Sequence, residues 1–239
     1  MRRADRYRTT MHSLTHLAGA TIVFDLDGTL VDTAPDLIAS ANHALADIDA
    51  EPVAAEVLRP WISYGARRMI VEALAARAVR LPEPRVDALL ERFLAYYEAN
   101  IAVHSRPFPG CIAALDALAG AGAQLAVCTN KRAALSLELL SALALRDRFA
   151  AIAGRDTFPV CKPDPGHLLS TIGMAQGRAA HAIMVGDSEV DIATAKAARV
   201  PIVAVSFGYS DGPLAPHAPE AMIDHYDALI PAVARLIVQ

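Results

Sequence analysis

Residues 24–33 read FDLDGTLVDT, and they continue an apolar run over residues 21–24. The run predicts a short buried strand, so Asp25 and Asp27 would stand at its carboxyl end. Two neighbouring carboxylates repel each other, and their burial is costly unless a cation or a proton compensates the charge. This stretch therefore indicates a cation-binding site at the end of the first predicted strand.

The rest of the chain alternates between apolar runs and helical patterns. Continuous apolar runs are typical of parallel strands covered on both faces, and their alternation with helices predicts a doubly wound sheet. We therefore expect an α/β fold with a Rossmann-like core formed by residues 20–33 and 108–239. Further strands are predicted at 123–128, 150–154, 182–186, 201–208 and 221–223, and core helices at 110–121, 131–145, 164–175, 188–199 and 225–237.

Residues 34–107 break this alternation, because they show no clear strand. Their apolar residues recur at helical spacing, and prolines separate the helical stretches. We expect a helical domain over 34–107, inserted between the first strand and the rest of the sheet. Its helices are predicted at 35–48, around 53–61, at 66–79 and at 83–101. The Arg-rich residues 1–19 lack a long apolar segment, which predicts a flexible tail rather than a secretory signal.

The bulk composition excludes several classes of partner. A net charge of −4 and a pI of about 6.0 give no reason to expect binding to nucleic acid or to an anionic membrane. No apolar stretch approaches the roughly 20 residues that span a bilayer. Cys111, Cys128 and Cys161 lack metal-ligand spacing and are typical of reduced core residues. We expect a cytoplasmic protein, and the sequence leaves open whether it is a monomer or a homodimer.

Polar residues follow the other predicted strands as well. Thr129 and Asn130 end the second strand, Lys162 lies in the loop after the third, and Asp187 and Asp191 follow the fourth. In a doubly wound sheet these strand ends meet in one crevice. Taken singly, each residue could be a helix cap, a turn residue or an exposed loop lysine. Taken together, they favour a site for a divalent cation and a phosphate.

These residues match the four motifs of the haloacid dehalogenase-like hydrolase superfamily, which the chain resembles from residue 21 onward. The first motif is DxDGT, here residues 25–29, and the fourth is GDxxxD, here residues 186–191. Thr129 and Lys162 match the second and third. The flanking stretches FDLDGTLVDTAPDL, PFPG, VCTNK and GDSEVDI look like bacterial phosphoglycolate phosphatases. The helical insert resembles the C1-type cap of the family.

The resemblance assigns roles to the carboxylates. Asp25 would be the nucleophile that forms an aspartyl phosphate, and Asp27 would carry protons to the leaving group and from the attacking water. A Mg²⁺ ion would bind Asp25, Asp187 and the backbone carbonyl of Asp27. Asp191 would support the metal from an outer position or contact Lys162.

The resemblance also assigns roles to the residues around the carboxylates. Thr129 and Asn130 would hydrogen-bond the phosphoryl oxygens, and Lys162 would neutralise charge on the nucleophile and the phosphate. Gly28 would permit the sharp turn after the first aspartate, and Thr29 would stabilise the loop that positions the second.

The substrate is expected to be a small phosphorylated metabolite, with 2-phosphoglycolate favoured. Arg67 or Arg68 could bind its carboxylate, or both could be solvated on a helix face. Ser63 stands where phosphoglycolate phosphatases usually have a glycine, so another phosphosugar or a sugar-acid phosphate stays open.

Other reactions on the same fold are weighed by single features. A mutase resembling β-phosphoglucomutase shares the core motifs and stays open. The dehalogenases of the superfamily lack the second aspartate, so Asp27 argues against that activity. Its phosphonate hydrolases use a lysine of the cap, and residues 34–107 contain no lysine. The chain length argues against a signalling receiver, and the complete motif set argues against a silent binding module.

Overall fold

The computed structural model describes residues 15–210 and 212–237, and its centre is a six-stranded parallel sheet. The strand order is β5-β4-β1-β6-β7-β8. The strands are β1 (Thr21–Phe24), β4 (Gln124–Cys128), β5 (Ala151–Ala153), β6 (Ala182–Gly186), β7 (Ile202–Val205) and β8 (Ala221–Ile223). The prediction of a doubly wound α/β fold is confirmed.

Both faces of the sheet are buried, which explains the continuous apolar runs. Alternate side chains of β1 enter two separate apolar clusters: Ile22 and Phe24 join one, and Val23 joins the other. Helices α5 (Cys111–Gly120) and α9 (Leu229–Ile237) contribute to the first cluster, and α7 (Pro165–Met174) and α8 (Glu189–Ala198) contribute to the second. Helix α6 (Ala133–Ala142) follows β4.

Four helices lie between the first strand and the remainder of the sheet. They are α1 (Ala34–Ala46), α2 (Ala55–Leu58), α3 (Ala66–Ala76) and α4 (Glu83–Ala99), with a 3-10 segment over Arg59–Tyr64. Their buried side chains share one apolar cluster with the first face of the sheet. We refer to residues 34–107 as the helical segment; its role as a separate cap domain stays a prediction.

A short antiparallel pair stands where the helical segment leaves and rejoins the core. Strand β2 (Val31–Asp32) pairs with β3 (Arg106–Pro107). The expectation that 34–107 contains no strand is therefore wrong at its last two residues. Two-residue strands carry too little periodic signal to be recognised from sequence.

Several element boundaries differ from the predicted ones: the strand predicted at 201–208 ends at Val205, and the helix predicted at 131–145 spans only Ala133–Ala142. The predicted helix 225–237 is α-helical only from Leu229, since Tyr226–Ala228 forms a 3-10 turn. Of the predicted tail, residues 1–14 lie outside the described residues, while Leu17 is buried in the core. Within the described ranges, no helix is both long and apolar enough to cross a bilayer.

Candidate active site

Three buried carboxylates meet at the carboxyl end of the central strands. Asp25 follows β1, Asp187 follows the neighbouring β6, and Asp191 lies in the first turn of α8. One oxygen from each lies within 4.8 Å of the others, and the three residues are at most 5% exposed. The parallel pairing of β1 with β6 brings the first two together, as the motif order predicts.

Lys162 is the counter-charge of this cluster. Its ammonium lies 2.6 Å from Asp191 Oδ1 and 2.9 Å from Asp25 Oδ1, and its side chain is 2% exposed. Burial lowers the pKa of this lysine, but Asp191 and Asp25 outweigh that effect and raise it above its ordinary value. Lys162 is therefore charged whenever the protein is folded near neutral pH. Asp191 contacts Lys162, as one of its two expected positions requires, and its support of a metal stays a prediction.

The carboxylates carry more negative charge than one lysine compensates. Burial raises the pKa of Asp25 to about 7, with Lys162 opposing the rise and Asp191 adding to it. Burial also raises the pKa of Asp187 well above its ordinary value, and Asp191 and Asp25 add to that rise. Asp25 Oδ1 makes an ion pair but no hydrogen bond of good geometry with any described residue. A buried set of hard oxygen donors with more negative charge than its one lysine offsets fits a divalent cation such as Mg²⁺.

Asp187 is held rigidly by its neighbours. Thr29 Oγ1 donates to one carboxylate oxygen over 2.9 Å, and the Tyr209 amide donates to the other over 2.7 Å. Gly28 has φ +84°, and a Cβ there would stand 2.3 Å from Asp187 Oδ2. The close approach and the positive φ both require glycine. The hydroxyl of Thr29 thus contacts Asp187 and not the loop side chains around Asp27.

Ser188 and Asp191 form a capping box at the start of α8. Ser188 Oγ donates to Asp191 Oδ2 over 2.7 Å, and the Asp191 amide donates back to Ser188 Oγ over 3.2 Å. This leaves the second oxygen of Asp191 for Lys162. The helix cap and the lysine together fix the orientation of Asp191.

Asp27 occupies a different environment from the three clustered carboxylates. Thr33 Oγ1 donates to its Oδ1 over 2.7 Å, and Lys131 Nζ lies 3.0 and 3.2 Å from its two oxygens. The ammonium of Lys131 also lies 4.3 Å from the ring centre of Tyr97, on α4. The sequence predicts no role for Thr33 or Tyr97. It places Lys131 directly after Thr129 and Asn130, in the polar cluster that ends the second predicted strand, but it does not predict the contact with Asp27.

Thr129 and Asn130 shape the loops around Lys162 and Lys131. The hydroxyl of Thr129 accepts from the Lys131 amide over 3.2 Å, which leaves its own proton free to donate. The side chain of Asn130 donates to the Lys162 carbonyl over 3.1 Å. Thr129 is 1% exposed, so its proton points into the protein interior or the site.

A small cavity lies between the core and the helical segment. Its volume is about 90 Å³, and Asp27, Asn130 and Lys131 form its polar end. Tyr97 and Phe93 of α4 are part of its apolar wall. Asp27 thus faces a partly open cleft of the kind that a leaving group would occupy.

The two arginines predicted to bind substrate are engaged inside the helical segment. Arg67 lines the cavity, but its guanidinium is paired with both Glu83 and Asp87. Arg68 is paired with Glu72 over 2.6 Å and lies 4.6 Å from the ring centre of Trp61.

Comparison with known proteins agrees with this geometry. A family model described as haloacid dehalogenase-like hydrolase matches residues 22–205. A phosphoglycolate phosphatase of Mesorhizobium japonicum is 50% identical over 218 residues, which cover 91% of this chain and 96% of that protein. The phosphoglycolate phosphatase of Agrobacterium fabrum is 48% identical over 216 residues, covering 90% and 93%.

A solved structure gives the same result. The crystal structure of a predicted phosphoglycolate phosphatase from Haemophilus somnus superposes with a TM-score of 0.84 at 30% identity. The match covers 90% of this chain and 97% of that one. The chain therefore belongs to the haloacid dehalogenase-like hydrolase family, in the phosphoglycolate phosphatase-like branch of its phosphoric monoester hydrolases.

Proposed function

We propose that the protein hydrolyses 2-phosphoglycolate to glycolate and inorganic phosphate, with Mg²⁺ as cofactor and an aspartyl phosphate as intermediate. The observation that carries this proposal is that Asp25 and Asp27 lie in different environments. Asp25 belongs to a buried acidic cluster with Lys162, whereas Asp27, two residues on, faces a small cavity beside the helical segment. This difference in environment supports Asp25 as the nucleophile and Asp27 as the acid and base.

In the first step an oxygen of Asp25 attacks phosphorus, and the bond from phosphorus to the ester oxygen breaks. The leaving oxygen takes a proton from the Asp27 carboxyl group. In the second step Asp27 removes a proton from water as that water attacks the same phosphorus, which releases phosphate and regenerates Asp25. Lys162 offsets charge on Asp25 and on the phosphoryl oxygens, and the free proton of Thr129 is available to one of these oxygens.

Mg²⁺, when bound, would neutralise charge on the phosphoryl oxygens and on the attacking carboxylate. Asp25 and Asp187 would hold it, together with the backbone carbonyl of Asp27. The rigid support of Asp187 by Thr29 and Tyr209 suits a metal ligand, because a fixed carboxylate loses little freedom on binding.

We further infer a cytoplasmic location, in keeping with the free thiols of Cys111, Cys128 and Cys161. The size of the cavity favours a leaving group of a few atoms over a sugar. One water needs about 10–15 Å³ of such space, so about 90 Å³ holds roughly six to nine waters. A larger sugar phosphate, as substrate of a phosphatase or a mutase, is the alternative that this volume favours less.

The test is phosphate release from a panel of esters, with Mg²⁺ and with EDTA. The panel contains 2-phosphoglycolate, a hexose phosphate and a neutral alkyl phosphate. We expect metal-dependent release that is fastest with 2-phosphoglycolate. Fastest release from the hexose phosphate would move the substrate, and conversion of a hexose phosphate to its isomer would show a mutase.

The nucleophile is tested by Asp25→Asn, with Asp116→Asn as the matched control. Asp116 is an exposed aspartate that is paired with Arg148, so the same change there leaves the site intact. We expect Asp25→Asn to lower kcat by at least about 10⁴-fold, since it removes the covalent step. Near-normal turnover by Asp25→Asn with Mg²⁺ present would overturn the mechanism.

A further inference from the structure

We propose that Lys131 binds the carboxylate of the leaving group, and that the enzyme thereby selects phosphate esters of small hydroxy acids. This inference rests on the proposed function and names the residue that sets its specificity. It assigns to a core lysine the role that the sequence suggested for Arg67 or Arg68.

Lys131 is the buried cation at the polar end of the cavity. Its side chain is 6% exposed, and its ammonium is held between Asp27 and the ring of Tyr97. Its ammonium thus lies beside Asp27, the group that would meet the leaving oxygen.

The ammonium keeps a donor for a ligand. It has three N–H groups, and the carboxylate of Asp27 accounts for two of them at 3.0 and 3.2 Å. A leaving group that approaches Asp27 thus comes within reach of the third donor. In 2-phosphoglycolate the carboxylate is one carbon from the ester oxygen, so a short acid places its charge where this donor lies.

Tyr97 supplies a second observation. It is 1% exposed and lines the cavity, and among the residues of 15–210 and 212–237 its hydroxyl makes no hydrogen bond of good geometry, only a looser contact with the Lys131 ammonium. A buried hydroxyl without a well-aligned partner is costly, so its retention indicates a ligand that completes it. A carboxylate has enough lone pairs to accept from Lys131 and from Tyr97 together.

The charge balance of the cavity also favours an anion. Its lining contains one carboxylate, Asp27, against Lys131, Arg132 and Arg155. Arg67 adds little, because Glu83 and Asp87 already compensate its charge. The remaining wall is mainly apolar, so an anionic head on a short carbon chain is the best match.

Binding is measured first, in the turnover-deficient Asp25→Asn background. Calorimetry with Mg²⁺ compares the Kd of 2-phosphoglycolate with that of 2-hydroxyethyl phosphate, a neutral ester of nearly equal size. Adding Lys131→Met should raise the Kd of 2-phosphoglycolate about 10- to 100-fold, as expected for loss of a charged hydrogen bond. The Kd of the neutral ester should rise less than about 3-fold. Lys196→Met, at an exposed lysine that donates to the His217 carbonyl, should change neither Kd.

Kinetics on the single variants give the second readout. The ratio of kcat/KM for 2-phosphoglycolate to that for the neutral ester should fall at least about 10-fold in Lys131→Met, mainly through KM. An equal loss for both esters would overturn the inference, because Lys131 would then only position Asp27. Loss of the preference in Arg67→Gln with retention in Lys131→Met would also overturn it.

Tyr97→Phe keeps the inference testable if Lys131→Met does not fold. This variant removes one oxygen and keeps the ring beneath the ammonium. It should raise the Kd of 2-phosphoglycolate about 3- to 10-fold and leave that of the neutral ester unchanged. No change for either ester in Tyr97→Phe would count against the inference.

Failure of the proposed function can be distinguished from failure of the inference about Lys131. If the wild-type protein releases phosphate from neither ester, hydrolysis is wrong, while calorimetry on the Asp25→Asn pair still decides the role of Lys131. If the wild-type protein hydrolyses 2-phosphoglycolate but Lys131→Met keeps the same preference, the function stands and the inference falls.

Discussion

Removing the ionisable group at position 25 should change how the stability of the metal-free protein depends on pH. Burial raises the pKa of Asp25 from 3.8 to about 7. Between these values the folded state binds more protons than the unfolded state. This contribution to stability is therefore complete below pH 4 and is lost as the pH rises through 7. At 1.36 kcal/mol per pKa unit, the whole contribution is roughly 4 kcal/mol.

The assay is urea unfolding in EDTA at pH 5 and pH 8. Most of the contribution of Asp25 is still present at pH 5 and almost none at pH 8. Between pH 5 and pH 8 the free energy of unfolding of the wild-type protein should therefore fall by about 2–3 kcal/mol more than that of Asp25→Asn. Asp116→Asn removes an exposed carboxylate, and its pH dependence should follow that of the wild type.

Parallel curves for Asp25→Asn and wild type would refute the reasoning, since they would show that Asp25 titrates alike in both states. Excess Mg²⁺ supplies a further check. The metal binds the ionised carboxylates and stabilises the wild-type protein by mass action, so it should remove the disadvantage at pH 8. Asp25→Asn, which lacks one ligand, should gain less from Mg²⁺.

Two further predictions concern stability. Gly28→Ala should lower the free energy of unfolding in urea by at least about 2 kcal/mol more than Gly19→Ala does. Both glycines have positive φ, but only at Gly28 does the new Cβ meet Asp187. Equal losses in the two variants would contradict this steric argument. Burial lowers the pKa of His167 to about 4, so the unfolded state binds more protons between pH 6.5 and 4 and the protein loses up to about 3 kcal/mol as the pH falls. His167→Gln, which can keep the contact with the Gly154 carbonyl, should flatten this acid loss, and unchanged acid sensitivity would contradict it.

The sheet could be predicted because its strands are covered on both faces. Such strands have no polar alternation, so each appears as an uninterrupted apolar run, and the runs at 21–24, 182–186 and 221–223 match the observed strands at both ends. The pair formed by β2 and β3 could not be found in this way. Its two strands are separated by more than seventy residues in sequence, and only the folded chain brings them together.

The motif residues of the site could also be predicted from the strand order, whereas their contact partners could not. Parallel strands deliver Asp25 and Asp187 to one edge, so strand order alone indicates that they meet. The partner of Asp27 depends on the loop after β4, because Lys131 lies 104 residues away in sequence. The ring of Tyr97 is brought to the same lysine by the helical segment.

The arginines show why a charge in a plausible position is weak grounds for a ligand. Arg67 and Arg68 stand at the start of α3, where the sequence places them near a substrate, yet acidic residues of the helical segment pair with both. A cation whose charge is already compensated by exposed carboxylates gains little from binding another. Lys131 differs because its side chain is buried and lines the cavity beside Tyr97. Burial at the cavity wall, and not charge alone, is the ground for proposing Lys131 as a ligand of the substrate carboxylate.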